Sequence, residues 1–174
     1  MEINFCRRCA KPVTKKSEGF YVCPAGHSLF YKMYNGATIV LLNQQDEVLV
    51  AVRGQDPGKG TLDLPGGFLD PGETPLEAIH REIEEETGYL KADYDTPEFL
   101  CWATDMYEFE GETHEVLATV LWARLRSEKP LAPGDDVASL HWMPLESIQD
   151  SDIYSGFGGV RKALQTMRQR FHAS

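Results

Sequence analysis

The chain has no long hydrophobic run. No apolar stretch approaches the roughly 20 residues that a membrane-spanning helix requires. The opening residues, MEINFCRRCAKP, lack the apolar core of an export signal, so a cytoplasmic setting is expected. Internal repeats and low-complexity tracts are absent too. Positive charge is scarce: 17 Lys and Arg stand against 27 Asp and Glu, for a net charge of −10. A general nucleic-acid surface is therefore not expected. An anionic substrate has to be met by local Arg or Lys side chains, backbone N–H groups or metal ions. Cysteine is limited to four residues.

What is present divides in two. Residues 1–35 hold six Lys or Arg against Glu2 and Glu18, a local balance of +4 that leaves −14 for the remainder. Three of the four cysteines lie in the same basic stretch. Residues 1–34 read as a small loop-rich module, and residues 35–174 as one domain whose apolar content can fill a core. Cys6 and Cys9 are separated by two residues, and CPAGH follows after thirteen more. In a reducing compartment, close cysteines read as metal ligands more readily than as disulfides. A zinc site takes four tetrahedral N or S ligands, which Cys6, Cys9, Cys23 and His27 can supply. The alternative is three free cysteines and a surface histidine. Cys101 stands alone and is expected in a buried strand.

The runs Gly36–Leu42 and Val48–Arg53, joined by a polar turn, predict a β-hairpin. A Gly/Pro loop and a short strand, LDLPGG, follow. Thr74 as N-cap, Pro75 at the first helical position, Glu77 completing a capping box and Gly88 just past the end predict a helix through Thr87. Leu76, Ile79, Ile83 and Thr87 form its apolar stripe. The runs 98–109 and 114–125 predict a second hairpin, 137–148 a strand leading into a short helix, and the tail a terminal helix with Val160, Leu164, Met167 and Phe171 on one face. This order predicts an α/β fold, a mixed sheet between helices.

The helix carries Glu82, Glu84, Glu85 and Glu86 within five residues. At about 100° per residue, Glu82, Glu85 and Glu86 share one arc beside the apolar stripe, and Glu84 points away. Such a cluster is either a solvated acidic face or an oxygen-only site for a hard divalent ion such as Mg²⁺ or Mn²⁺. It belongs to a longer register, however. Gly67 is followed after five residues by Glu73, and after seven more by Arg81-Glu82-Ile83-Glu84-Glu85-Glu86-Thr87-Gly88-Tyr89. This is G-x5-E-x7-R-E-U-x-E-E-x-G-U, where U is a bulky apolar residue; the one soft departure is Tyr89, where an aliphatic is usual.

On these residues the sequence resembles the Nudix hydrolases, with the strand pattern extending the likeness over about residues 36–172. The resemblance implies an α/β/α sandwich around a mixed sheet. It implies an enzyme that cleaves a diphosphate linkage in a nucleoside diphosphate joined to another group X, such as ADP-ribose, NADH or a related nucleotide. It implies Mg²⁺ or Mn²⁺ held by Glu82, Glu85, Glu86 and the Gly67 carbonyl, a bracing pair between Glu73 and Arg81, and substrate contacts at Arg53 and Gly66. The catalytic base comes from the helix or from a later loop, where Glu108, Glu110, Glu112 and Glu115 are candidates. Trp102, Tyr107 and Phe109 are candidates to stack on a base. The cysteine module is similar to the zinc ribbon of NADH pyrophosphatase-related members, although the run Ser-Gln-Pro-Trp-Pro-Phe-Pro of those enzymes is missing. A homodimer is expected by analogy, and a small nucleotide is the expected partner. The contrasting reading is a non-catalytic Nudix-fold sensor, or a zinc-ribbon module that binds nucleic acid or protein; sensors carry degenerate motifs.

Overall fold

A run such as Ile39-Val40-Leu41-Leu42 can be fully buried only if both faces of its strand are covered. In the computed structural model, which describes residues 3–31, 33–109, 111–134 and 137–173, all four are shielded from solvent. Three short N-terminal strands, β1 (Thr14–Ser17), β2 (Phe20–Val22) and β3 (Ser28–Phe30), make an antiparallel sheet of their own. The central mixed sheet consists of β4 (Tyr34–Leu42), β5 (Glu47–Arg53), β6 (Leu62–Asp63), β7 (Gly66–Phe68), β8 (Glu98–Phe109), β9 (Glu112–Arg124) and β10 (Val137–Pro144). Its order is β10-β5-β4-β9-β8, with β6 paired to β5 and β7 to β4. Helix α1 (Pro75–Thr87) covers one face and helix α2 (Gly158–His172) the other.

Alternation along β4 divides the core. Ile39 and Leu41 join Ala78, Ile79 and Ile83 of α1. Val40 and Leu42 join Val160, Ala163, Leu164 and Met167 of α2. Successive side chains of a strand point to opposite faces, and each buried aliphatic contributes about 1.5–3 kcal/mol. The sheet between two helical layers is the expected α/β/α sandwich. Within the apolar stripe expected on α1, Ile79, Ile83 and Thr87 are buried, whereas Leu76 is exposed.

The first hairpin departs from the simple expectation. β4 and β5 are joined by a tight turn, but they pair directly only at Leu42 and Val48. β4 instead runs parallel to β9 over its whole length, from Tyr34–Val116 to Leu42–Arg124. β5 pairs with β10 and β6. The edge of β4 that β5 leaves is taken by β7, with Gly36, Ala37 and Thr38 opposite Phe68, Gly67 and Gly66. The Ile39 N–H donates to the Pro65 carbonyl at 2.9 Å and extends the contact. The strands diverge because the Gly-Gly segment occupies the gap between them.

That gap has no room for a side chain at Gly66. Its φ of 150° and the closeness of the Ala37 carbonyl oxygen leave no place for a Cβ. At Gly67 the obstruction is instead the carboxylate of Glu82, the mobile end of a side chain. Gly66→Ala should therefore lower stability by about 2 kcal/mol or more, as expected for a strained, overpacked backbone position. At this chain length that corresponds to a fall in melting temperature of about 5 °C or more. Gly67→Ala should cost clearly less, because Glu82 can move. Thermal unfolding of the two variants side by side checks the difference.

Candidate active site

Helix α1 begins and ends as its sequence dictates. The Thr74 hydroxyl accepts the Glu77 N–H, and the Glu77 carboxylate accepts the Thr74 N–H at 2.9 Å, a complete capping box. Gly88 at φ 76° closes the helix, its N–H donating to the Glu84 carbonyl. Tyr89 is fully buried, and its hydroxyl donates to the Lys129 carbonyl at 3.1 Å. The polar tip explains how an aromatic fits where an aliphatic is usual: the ring is core and the oxygen is satisfied.

Arg81 ties the helix to the loop before it. Its Nε and Nη2 donate to the two oxygens of Glu73, each at 3.0 Å, and Nη2 also donates to the Phe68 carbonyl at 3.1 Å. Nη1 reaches Glu82 at 2.7 Å and Glu85 at 3.3 Å. The planar fork makes this possible, since it presents five donors in fixed directions. Its hydrogen bonds to Arg81 hold the Glu73 carboxyl below the usual range. The same contacts, led by that with Glu73, keep Arg81 charged.

Two of the other carboxylates, Glu82 and Glu86, converge on Gly66 and Gly67. Glu82 lies over Gly67, and Glu86 accepts the Gly66 N–H at 3.1 Å. Glu85 is exposed at the rim, and Glu84 is exposed as the helical wheel requires. Burial, and after it the neighbouring Glu85 and Glu73 charges, push the Glu82 carboxyl up even though Arg81 bonds to it. A desolvated carboxylate among like charges is the setting in which a cation is favoured. The donors are all oxygen, which fits Mg²⁺ or Mn²⁺.

From Gly66 and Gly67 an apolar cleft runs across the α2 face of the sheet, over Val116 and Ala118, to Phe157 and Val160. Arg53 lines it, with Nη1 donating to Asp63 at 2.7 Å, Nε to the Pro57 carbonyl at 2.7 Å, and the guanidinium 4.7 Å above the Phe157 ring. Among the candidate aromatics, Tyr107 lines the cleft, whereas Trp102, on the opposite face of β8, meets Phe99 in a tilted ring contact with centroids 4.7 Å apart. The Phe109 side chain and Glu110 lie outside the described residues. Glu108 faces Tyr154 and the loop at Asp56–Gly58, and Glu112 and Glu115 are exposed on β9.

Two charged lining residues were not anticipated, Asp63 and Asp105. A signal was available in the expected strand 98–109. Ala103, Asp105 and Tyr107 alternate onto one face, and an aspartate in that register is a charged group among core positions. Asp63 is likewise framed by Leu62 and Leu64.

The cysteine module brings its four residues together, all ligand atoms lying within 4.8 Å of one another. Cys9 and Cys23 are 3.7 Å apart at sulfur, and Cys6 Sγ is 3.5 Å from His27 Nδ1. A tetrahedron with the bond lengths of zinc to sulfur and nitrogen has edges of about 3.8 Å and about 3.6 Å. The ligand types suit zinc, and these two separations match the edges of such a tetrahedron. Two tight turns shape it: the Ala10 N–H donates to the Cys6 carbonyl at 2.8 Å and the Gly26 N–H to the Cys23 carbonyl at 2.9 Å. Cys101 sits apart, half-buried in β8.

A profile of the NUDIX domain matches residues 33–162. The 8-oxo-dGDP phosphatase NUDT18 of Mus musculus is 49% identical over 51 residues, which cover 29% of this chain and 16% of that protein. The NAD-capped RNA hydrolase NudC of Chromobacterium violaceum is 34% identical over 86 residues, 49% of this chain and 32% of that one. The chain thus spans a third or less of the length of either relative. The crystal structure of a NUDIX hydrolase from Nitrosomonas europaea superposes with a TM-score of 0.68 at 23% identity, covering 98% of this chain and 93% of its own, a likeness of fold. The profile takes in the central sheet from the end of the cysteine module to the first turns of α2, together with the whole of α1 and its glutamates: the chain belongs to the NUDIX domain family.

Proposed function

We propose that this chain hydrolyses a diphosphate linkage in a nucleoside diphosphate joined to a further group, using Mg²⁺ or Mn²⁺ held by Glu82, Glu85, Glu86 and the Gly67 carbonyl. ADP-ribose, NADH, dinucleoside polyphosphates and noncanonical nucleoside triphosphates make up the panel of candidates. The observation that carries the reading is the convergence of Glu82 and Glu86 on the Gly66-Gly67 segment, at the mouth of an apolar cleft. When bound, the ions neutralise the diphosphate, polarise its P–O bonds and lower the pKa of the attacking water. The protein supplies the rest. Gly66 and Gly67 let the backbone approach the phosphates, Arg81 and Glu73 fix the loop against α1, and the cleft takes the nucleoside. Residues 1–34 form in this reading a separate module built on a structural zinc at Cys6, Cys9, Cys23 and His27. Its own apolar cluster, centred on Cys6, Cys23 and Leu29, is small, and so small a core calls for a metal to hold it.

Phosphate release from the nucleotide panel, with Mg²⁺ and with Mn²⁺, tests the main reading. Glu86→Gln should lower kcat by about 10²-fold or more, on the scale of losing one group that stabilises developing charge, while the fold persists. Protein inert toward the whole panel would overturn the proposal.

Melting temperature separates a cation site from a solvated acidic face. Saturating Mg²⁺ at a hundredfold excess over Kd should stabilise the wild type by about 2.7 kcal/mol relative to EDTA. Glu84→Gln should respond equally, and Glu85→Gln clearly less. Equal responses of the two variants would leave only an acidic surface.

Metal analysis of protein purified without chelator should find close to one zinc per chain. Cys6→Ser should abolish it and expose residues 1–34 to proteolysis before the rest of the chain. Zinc-free wild type would rule out the structural site.

A further inference from the structure

The two aspartates in the cleft differ in what they still lack. Asp63 has both oxygens engaged, Oδ2 by Arg53 at 2.7 Å and Oδ1 by the Leu64 N–H at 2.8 Å. Asp105 has one. Its Oδ1 accepts the Gly159 N–H at 2.6 Å, where the first turn of α2 presents unpaired donors. Among the described residues, no protein donor bonds its Oδ2, and no Lys or Arg pairs with it. The charge of Arg161 influences it, but Nη1 and Nη2 of that fork donate to the carbonyls of Asp150, Ile153, Tyr154, Ser155 and Phe157.

Asp105 therefore does more than cap a helix. A cap needs one acceptor, and a neutral Asn or Ser serves as well. Instead a carboxylate stands in a cleft that it lines together with the apolar Val116, Ala118, Phe157 and Val160 and the polar Arg53, Asp63 and Tyr107. Burial pushes its carboxyl up, and the Gly159 N–H offsets this only in part. Its second oxygen is left open to the cleft, where a ligand that carries N–H donors can bond to it.

The cleft is continuous with Gly66 and Gly67, where Glu86 and Glu82 converge. With the diphosphate at those carboxylates, the base enters the apolar part. An ionised aspartate only accepts hydrogen bonds. Guanine offers two adjacent donors on its pairing edge, N1–H and the N2 amine. Adenine offers one donor beside the bare N1 acceptor, whose lone pair would face the carboxylate. Hypoxanthine keeps N1–H and lacks the amine.

We propose that Asp105 is the specificity-determining residue of the cleft and selects a guanine nucleotide, accepting hydrogen bonds from N1–H and the N2 amine. The inference rests on the diphosphate-hydrolase reading above and narrows its panel to guanine-containing members.

Calorimetric titration with GMP, IMP and AMP tests it without requiring turnover. Wild type should bind GMP about tenfold or more tighter than AMP, the usual size of discrimination by a two-hydrogen-bond pair, with IMP between them. Asp105→Asn should keep its oxygen on the Gly159 N–H and turn an amide N–H toward the base. The GMP preference should then vanish or reverse, a change in the GMP/AMP ratio of about tenfold or more. A wild type that binds GMP and AMP equally, or binds neither, overturns the proposal, as does an Asp105→Asn protein with an unchanged ratio. Should that variant fail to fold, the order GMP, IMP, AMP in wild type decides alone. The two readings fail separately. Preferential GMP binding by a protein that cleaves no diphosphate sinks the hydrolase reading, whereas turnover of adenine and guanine members at equal kcat/KM sinks the role of Asp105.

Discussion

The site depends on one cation placed among carboxylates. Arg81 grips Glu73 with two N–H groups and the Phe68 carbonyl with a third contact, and the remaining corner of its fork reaches Glu82 and Glu85. The loop from β7 is thus fixed to α1 at a set distance and orientation. A lysine would supply the charge but not the geometry, because an ammonium cannot point parallel donors at one carboxylate while reaching two others. Partial burial strengthens these bonds relative to exposed ion pairs. With Glu73 neutralised by Arg81, the negative charge left over is concentrated on Glu82, Glu85 and Glu86, on the side that faces Gly66 and Gly67.

The sheet gives those two glycines their position. If β4 and β5 paired along their full length, the edge of β4 at Gly36–Thr38 would be filled and β7 would have nowhere to dock. β4 instead draws its long pairing from β9, in parallel, and β5 turns outward to β10 and β6. The Gly-Gly segment lies in the opening, with α1 behind it on one face of the sheet and the apolar cleft on the other. Charge is gathered from the α1 side and shape from the α2 side, and the two meet over two residues that have no side chain to separate them.

What could be read from the sequence follows this division between local and distant. Helix α1 was legible from Thr74, Pro75, Glu77 and Gly88, because caps act within a few residues. The angular separation of Glu84 from its neighbours was equally legible, being fixed by helical pitch alone. The cysteine spacing marked its cluster for the same reason. The partner of β4 was not legible: a turn next to two apolar runs looks like a hairpin whether or not the strands stay together, and the parallel pairing lies some eighty residues away. Leu76 was placed in the core by periodicity, yet it is exposed, and Ala78 rather than Leu76 begins the buried face of α1. Asp105 needed the register of β8 and the location of α2 together, and only the fold brings its carboxylate to the Gly159 N–H.

The net charge of −10 then acquires a mechanical meaning. An acidic protein that handles a polyphosphate must oppose phosphate charge locally. The arginines around the cleft are committed to the fold: Arg81 to Glu73, Glu82 and Glu85, Arg53 to Asp63 and the Pro57 carbonyl, Arg161 to five carbonyls of the segment entering α2. Diverting Arg81 to a phosphate would release the loop that it fixes to α1. Carboxylates that recruit divalent ions avoid the conflict, since the ions bring positive charge that the fold does not need for itself. In the proposed reaction the acidic character of the chain and its use of an anionic substrate are therefore compatible, and the glutamates of α1 are the link between them.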